Sequence, residues 1–278
     1  MTEDIAIIPA AGKGTRAFSL TNGSPKELVR IPFRNRGAKD TINIKTIFEF
    51  SIDLVVCAGI TKAHVILSEG KFEIINFLQD GKRFALNLTY AYQMNTRGLP
   101  FAVDSVYSFI KGKCVSVVLP DTIVYPRHAL RDMLSFFHCR NDDVILGIFP
   151  TSSPKQLCQV IYDQNLSVIR LYDKDRQVFV HNTWGIAAWR SRFTNFIHDY
   201  IKDKERDITL SEIFNEAINS RIKVAAFPLG GFTYLDTGTP EGLKDALLFS
   251  CNIEGNERTI HPKFLMDKAY IRTNSGQT

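Results

Sequence analysis

The segment Pro9-Ala10-Ala11-Gly12-Lys13-Gly14-Thr15-Arg16 combines small residues, two glycines and two cations directly after an apolar run, Ile5 to Ile8. Small residues at a strand end let backbone amides approach an anion closely, as phosphate-cradling loops do. Three readings of the loop compete. A Walker-type loop needs a further glycine five residues before the Gly-Lys pair, and none is present. A dinucleotide fingerprint Gly12-x-Gly14-x-x-Ala17 requires a helix to open at the glycines. Instead Ser19, Thr21, Asn22, Gly23, Ser24 and Pro25 follow, a run of turn formers. The third reading has the loop wrap a nucleoside triphosphate, with Arg16 supplying charge. The dinucleotide reading, and with it an NAD(P)-dependent oxidoreductase, is the alternative of another class, as is a non-catalytic nucleotide- or sugar-binding protein.

Two aspartates stand where a sheet presents ligand-binding groups. Asp121 follows the apolar run Val115 to Leu119, and Asp236 follows Phe232 to Leu235. Each therefore falls at the carboxyl end of a strand, where open α/β sheets bind ligands. Helix capping, the ordinary role of an aspartate, explains neither. Thr239-Pro240-Glu241 already supplies a cap, a first-turn proline and a first-turn acid, and Asp121 precedes the next helix, near Pro126, by several residues. The six histidines show no metal-ligand spacing, and the five cysteines are odd in number with no C-x-x-C pair. Neither a disulfide framework nor a structural zinc site is predicted from spacing, and a reducing cytoplasm is the expected compartment.

The positioning elements read as alternating strands and helices. Ile5–Ile8, Ala63–Leu67, Val115–Leu119 and Val144–Phe149 are β-branched and almost unalternating, which indicates strands covered on both faces. Between the first two, Ile44, Ile47, Phe48, Ile52 and Val55 recur at helical spacing, with a stop at Gly59. Arg127–Phe137 reads as a further helix. The order predicts a mainly parallel sheet with right-handed crossovers through about residue 150. Beyond it come a hairpin over Gln159–Tyr172, a strand over Val178–Trp189, helices at Arg192–Ile201 and Leu210–Ile218, strands at Ile222–Phe227 and Phe232–Leu235, and a helix from Pro240 to Phe249. No apolar stretch reaches the ~20 residues of a membrane span. A formal charge of +5 suits anionic substrates and is too mild to argue for nucleic acid.

Eight residues after Arg16 comes Pro25-Lys26-Glu27-Leu28. G-x-G-T-R, this interval and P-K, after a buried strand, resemble the signature of the sugar-1-phosphate nucleotidyltransferases, which include glucose-1-phosphate uridylyl- and thymidylyltransferases. The resemblance continues in order. Lys45–Ile60 is similar to the family's first crossover helix, and Gln93 with Gly98-Leu99 to its base-recognition segment. Leu119-Pro120-Asp121 resembles its L-[PG]-D strand end, and Asp207 to Glu212 its E-I-x-[LT]-[TS]-[DE] stretch. Tyr234-Leu235-Asp236-Thr237-Gly238-Thr239-Pro240-Glu241 resembles its W-x-D-[IT]-G-T-P-E segment. The sequence departs from the pattern at Ala17-Phe18-Ser19, at Pro100-Phe101 and at Asp173-Lys174-Asp175, and about a dozen extra residues, roughly Phe33 to Ile44, precede the helix.

The resemblance implies a mainly parallel, Rossmann-like mixed sheet flanked by helices, with a smaller α+β acceptor-binding portion. It implies a single domain over residues 1–250, with a nucleotide-binding half (1–150), an acceptor-binding half (151–250) and a tail from 251 to 278. The implied activity is Mg2+-dependent coupling of a nucleoside triphosphate, UTP or dTTP, to a sugar-1-phosphate or related phosphorylated acceptor. A cytidylyltransferase acting on a non-sugar phosphate or phosphonate is the alternative within the class. By the same resemblance, Arg16, Lys26 and Asp121 are catalytic, and Asp121 with Asp236 binds the metal. Ala10, Ala11, Gly12, Gly14, Thr15, Gln93 and Gly98 bind nucleotide; Asp173, Lys174, Asn182 and Gly185 bind acceptor. No nucleic acid or membrane partner is expected, and a homo-oligomer is left open.

Overall fold

Unbroken apolar runs become the strands of one central sheet because each needs cover on both faces. The computed structural model describes residues 3–12, 24–36, 40–178 and 180–252. In chain order the elements are β1 (Asp4–Pro9), β2 (Arg30–Arg36), β3 (Asp40–Thr46), α1 (Ile47–Cys57), β4 (Lys62–Leu67), α2 (Phe72–Leu78) and β5 (Asn87–Tyr92). There follow α3 (Leu99–Asp104), α4 (Tyr107–Ile110), β6 (Cys114–Val118), β7 (Thr122–Tyr125), α5 (Ala129–His138) and β8 (Val144–Pro150). The remainder comprises β9 (Cys158–Tyr162), β10 (Val168–Asp173), β11 (Asn182–Trp189), α6 (Ser191–Ile201), α7 (Leu210–Asn219), β12 (Val224–Pro228), β13 (Thr233–Asp236) and α8 (Pro240–Asn252).

Seven strands form the sheet in the order β12-β8-β11-β6-β1-β4-β5. β11 runs antiparallel to both its neighbours, and the other strands all share one direction. The fold is thus the mixed, mainly parallel α/β sheet expected from the run pattern. Alternation within β1 explains the two-sided core: Ile5 and Ile7 enter one buried cluster with Phe193 and Phe214, while Ala6 and Ile8 enter another with Phe48 and Met133. Among the described residues no helix is long and apolar enough to cross a membrane.

The structure corrects the sequence expectations at several points. Ile44 does not join the first helix: it lies on β3 opposite Pro32, with 71% of its surface exposed. The helix begins after Thr46, whose hydroxyl accepts from the Glu49 amide while the Glu49 carboxylate accepts from the Thr46 amide. This reciprocal cap fixes the boundary that apolar spacing alone misplaces. The extra residues at Phe33–Ile44 belong to the β2–β3 hairpin, seated on α1 by an edge-to-face contact of Phe33 with Phe50 at 5.5 Å. Helices α2, α3 and α4 and strand β7 were not expected. The strand expected from Val178 begins at Asn182, and the last helix continues to Asn252, past its expected end at Phe249.

One turn ties the two parts of the chain together. Gly98 has φ +105°, and a Cβ there would sit 2.2 Å from the Ile208 carbonyl oxygen. The Ile208 amide donates to the Arg97 carbonyl at 3.1 Å. Only glycine satisfies both the left-handed backbone and the contact. Gly98→Ala should therefore cost about 2 kcal/mol or more in folding free energy. Urea denaturation checks this, and an unchanged midpoint would mean that the 208 backbone yields freely.

Candidate active site

Pro25 opens a single 3-10 turn, Lys26–Leu28, whose side chains point in opposing directions. Glu27 turns inward, 2% exposed, and meets the ammonium of Lys71, 6% exposed, at 3.0 and 2.7 Å through its two carboxylate oxygens. Lys71 comes from the loop between β4 and α2, so this buried pair pins the lysine turn to the carboxyl end of the sheet. Lys26 turns the other way and ion-pairs with Asp121. Burial opposes its charge, but Asp121, Glu27 and Asp236 outweigh it and hold the ammonium above its usual range.

A short strand pair brings the two aspartates together. β7 and β13 run antiparallel, with Thr122 opposite Asp236, so Asp121 lies just beyond the end of that ladder. The Asp121 carbonyl accepts from the Thr237 amide at 3.1 Å and from its hydroxyl at 2.7 Å. The Gly238 amide donates to Asp236 Oδ1 at 2.8 Å. A Cβ at Gly238 would lie 2.9 Å from Asp236 Oδ1 and 3.4 Å from Lys26 Nζ, which places all three charged groups around one small space. Their donor set fits a hard divalent ion: both aspartates offer carboxylate oxygens, and a cation, the Lys26 ammonium, is already held against them.

Of the residues expected to bind nucleotide, Ala10, Ala11, Gly12, Gln93 and Gly98 are described. Ala10 and Ala11 are buried directly after β1, and Gly12 is exposed. The Ala10 amide is committed to the Ile66 carbonyl at 2.8 Å, and the Ala11 carbonyl accepts from Ser68 Oγ at 2.8 Å. Gly14, Thr15 and Arg16 lie outside the described residues. Gln93 follows β5 at the same carboxyl end of the sheet; its amide N–H donates to the Leu67 carbonyl and its side chain is buried. Gly98 stands at the start of α3 in the turn already described.

Asp173 ends β10 and Lys174 follows it with φ 53°, its amide donating to the Leu157 carbonyl. Both side chains are exposed, and Asp173 lines a cavity of about 340 Å³ between β10 and α7 with Arg170, Ser211 and Glu212. The Asn182 amide is spent on the β9 backbone, accepting from Val160 N at 2.9 Å and donating to Val160 O at 3.0 Å. Gly185 leaves room for the Tyr234 ring, which would stand 2.5 Å from a Cβ there and which stacks on Phe149. Burial, then Asp236 and Asp121, keeps the Tyr234 hydroxyl well above its ordinary range. Tyr234 thus links β11 to the charged cluster.

Sequence reading missed Glu27 and Lys71, although a glutamate flanked by Lys26 and the apolar Leu28-Val29 pair was a detectable signal of inward burial. Removing one partner of a buried pair strands the other charge, so Glu27→Gln should cost about 3–5 kcal/mol in stability. The double replacement Glu27→Leu with Lys71→Met should recover most of it. Denaturation of the three proteins checks this; a loss under about 1 kcal/mol in the single variant would contradict burial of the pair.

Comparison with known proteins bears on the family and the fold. The nucleotidyl transferase family model matches residues 5–252. A glucose-1-phosphate thymidylyltransferase from Neisseria gonorrhoeae is 24% identical over 269 residues, covering 95% of this chain and 88% of that one. One from Xanthomonas campestris pv. campestris is 24% identical over 252 residues, covering 90% and 81%. The UTP-bound UGPase from Acinetobacter baumannii superposes with a TM-score of 0.70 at 18% identity, covering 89% of this chain and 93% of the other. That structure shares the fold. With the motifs met in order and the family match spanning nearly the whole described chain, this protein belongs to the nucleotidyl transferase family and resembles its sugar-1-phosphate nucleotidyltransferases.

Proposed function

We propose that this chain couples a pyrimidine nucleoside triphosphate, UTP or dTTP, to a sugar-1-phosphate or a closely related phosphorylated acceptor, with release of pyrophosphate. One observation carries the reading: a largely buried, charged Lys26 stands with Asp121 and Asp236 at the carboxyl end of the sheet. An acceptor phosphate oxygen would form a bond to the α-phosphorus while the bond from that phosphorus to the bridging oxygen breaks, and pyrophosphate leaves with those electrons. The nucleophile needs no base, because a phosphate monoester with a second pKa near ~6 is mostly the dianion at neutral pH.

The obstacle is repulsion between anions, so the residues act by supplying charge and position. Asp121 and Asp236 would hold Mg2+, which when bound supplies positive charge to the phosphate oxygens. Lys26 places a desolvated ammonium where charge gathers at the α-phosphorus and the leaving group. Arg16 adds a cation in the same role. In this reading residues 1–150 carry the nucleotide and 151–250 the acceptor. Asp173 and Lys174 would receive the acceptor's hydroxyls and phosphate, with Asn182 and Gly185 shaping the strand beside them. The Gln93 amide can both donate and accept, which matches a carbonyl and the N3–H of uracil or thymine. The relatives named as thymidylyltransferases and the UTP-bound neighbour support a pyrimidine.

Three measurements test the assignment. Asp121→Asn and Asp236→Asn should each abolish pyrophosphate release at limiting magnesium with the circular dichroism spectrum unchanged; full activity of either would sink the metal assignment. Lys26→Ala should lower kcat roughly 10²–10³-fold with a smaller change in triphosphate affinity, whereas a pure KM effect would make Lys26 a ground-state anchor only. In a screen of nucleotides against phosphorylated acceptors, UTP or dTTP should exceed ATP and GTP in kcat/KM. Gln93→Glu should weaken cytosine nucleotides more than uracil or thymine ones, because a carboxylate still accepts from N3–H but repels the cytosine N3. A purine preference, or unchanged selectivity in that variant, would remove Gln93 from the base site.

A further inference from the structure

At the opposite end of the sheet, three donors from three elements converge. Asp4 and Cys114 are register partners at the amino ends of the parallel strands β1 and β6, so their side chains leave the same face side by side. His138, the last residue of α5, reaches over that face and sets its Nε2 3.1 Å from Asp4 Oδ2. One ligand atom from each residue lies within 4.8 Å of the other two. Asp4 Oδ1 is buried and has no hydrogen-bond partner. A buried carboxylate oxygen left this way is costly unless something else meets it. We propose that Asp4, Cys114 and His138 form a binding site for a zinc-class divalent cation, remote from the nucleotide site.

The donor chemistry selects the ion. One thiolate, one imidazole and one carboxylate suit zinc, which binds tetrahedrally to such mixed sets, and they suit magnesium poorly. Cys114 closes the inner side at 2% exposure, while His138 and Asp4 keep 39% and 30% of their side chains open, leaving an outer position for water. The carbonyl end of α5 also favours a cation there. Arg190 is the competing positive charge beside Cys114, and its guanidinium is engaged by the carbonyls of Phe137, Arg140 and Asp142 at 2.9–3.1 Å. A nucleophilic role for Cys114 with His138 does not fit, since burial and the Asp4 carboxylate, to which the thiol hydrogen-bonds, raise the metal-free thiol well above its ordinary range; a bound zinc ion would displace that proton and take the thiolate. Sequence spacing could not show this cluster: Asp4 and Cys114 are far apart in the chain and meet only through the register of β1 and β6, and α5 carries His138 over them.

The test uses the full chain, stripped of metal and then dialysed against Zn2+ or Co2+ with excess Mg2+ present to occupy hard-oxygen sites. One zinc ion per chain should be retained against a chromophoric chelator, and cobalt should show thiolate charge-transfer absorption in the near ultraviolet. His138→Ala, at the open side, should lose the retained zinc, and Cys114→Ser should lose the cobalt band. Cys139→Ser, which removes the neighbouring exposed thiol, and Asp121→Asn should keep both signals. The proposal is overturned by an absent charge-transfer band, by zinc retained in His138→Ala, or by signals lost in Cys139→Ser or Asp121→Asn. Should Cys114→Ser fail to fold, the cobalt band of the wild type and the His138→Ala result decide between a metal site and a plain hydrogen-bond network.

Discussion

Two carboxylates cannot face one small space without a cation to balance them, and the active end of this protein is organised around that requirement. The β7–β13 ladder forces Asp121 and Asp236 together, and Lys26 answers the charge they create. The surrounding structure serves to keep that lysine in place. Its neighbour Glu27 is driven inward, and a partnerless buried glutamate would be untenable, so Lys71 follows it into the interior. Lys26, which faces the aspartates, and Glu27, which faces Lys71, therefore occupy consecutive positions of one turn, back to back.

Much of this was legible in the residues. The strand before Asp121 announced itself as an apolar run, as did β1, β4 and β8 of the same sheet. β7 was not legible, since Thr122–Tyr125 is short and the strand it pairs with, β13, lies more than a hundred residues away. The convergence of Asp121 with Asp236 is a product of that long-range pairing, which no local period encodes. The misplaced Ile44 has the opposite cause. A helical period ran by accident into a hairpin strand, and the Thr46–Glu49 cap outweighed it.

The residues proposed to face the acceptor show why residue type alone underdetermines a role. Asn182 has a polar amide in a suitable place, yet both ends of it serve the β9 backbone. Gly185 is needed for the Tyr234 ring, whose other face meets Phe149. Both residues shape the region by fixing neighbouring strands, whereas Asp173 and Lys174 leave their side chains free at the surface.

The antiparallel strand β11 has a consequence for how this chain is made. It lies between β6 and β8, both of which precede it by more than thirty residues in the sequence. A ribosome that has released residues up to 150 has delivered both flanking strands but not the one that joins them. Until Asn182–Trp189 emerges, β6 presents one unpaired apolar edge, and β8, whose other neighbour β12 comes later still, presents two, an arrangement prone to pairing with a foreign strand. Completion of the sheet must therefore wait for late synthesis, and the interval before β11 arrives is when these edges are open to the wrong partner.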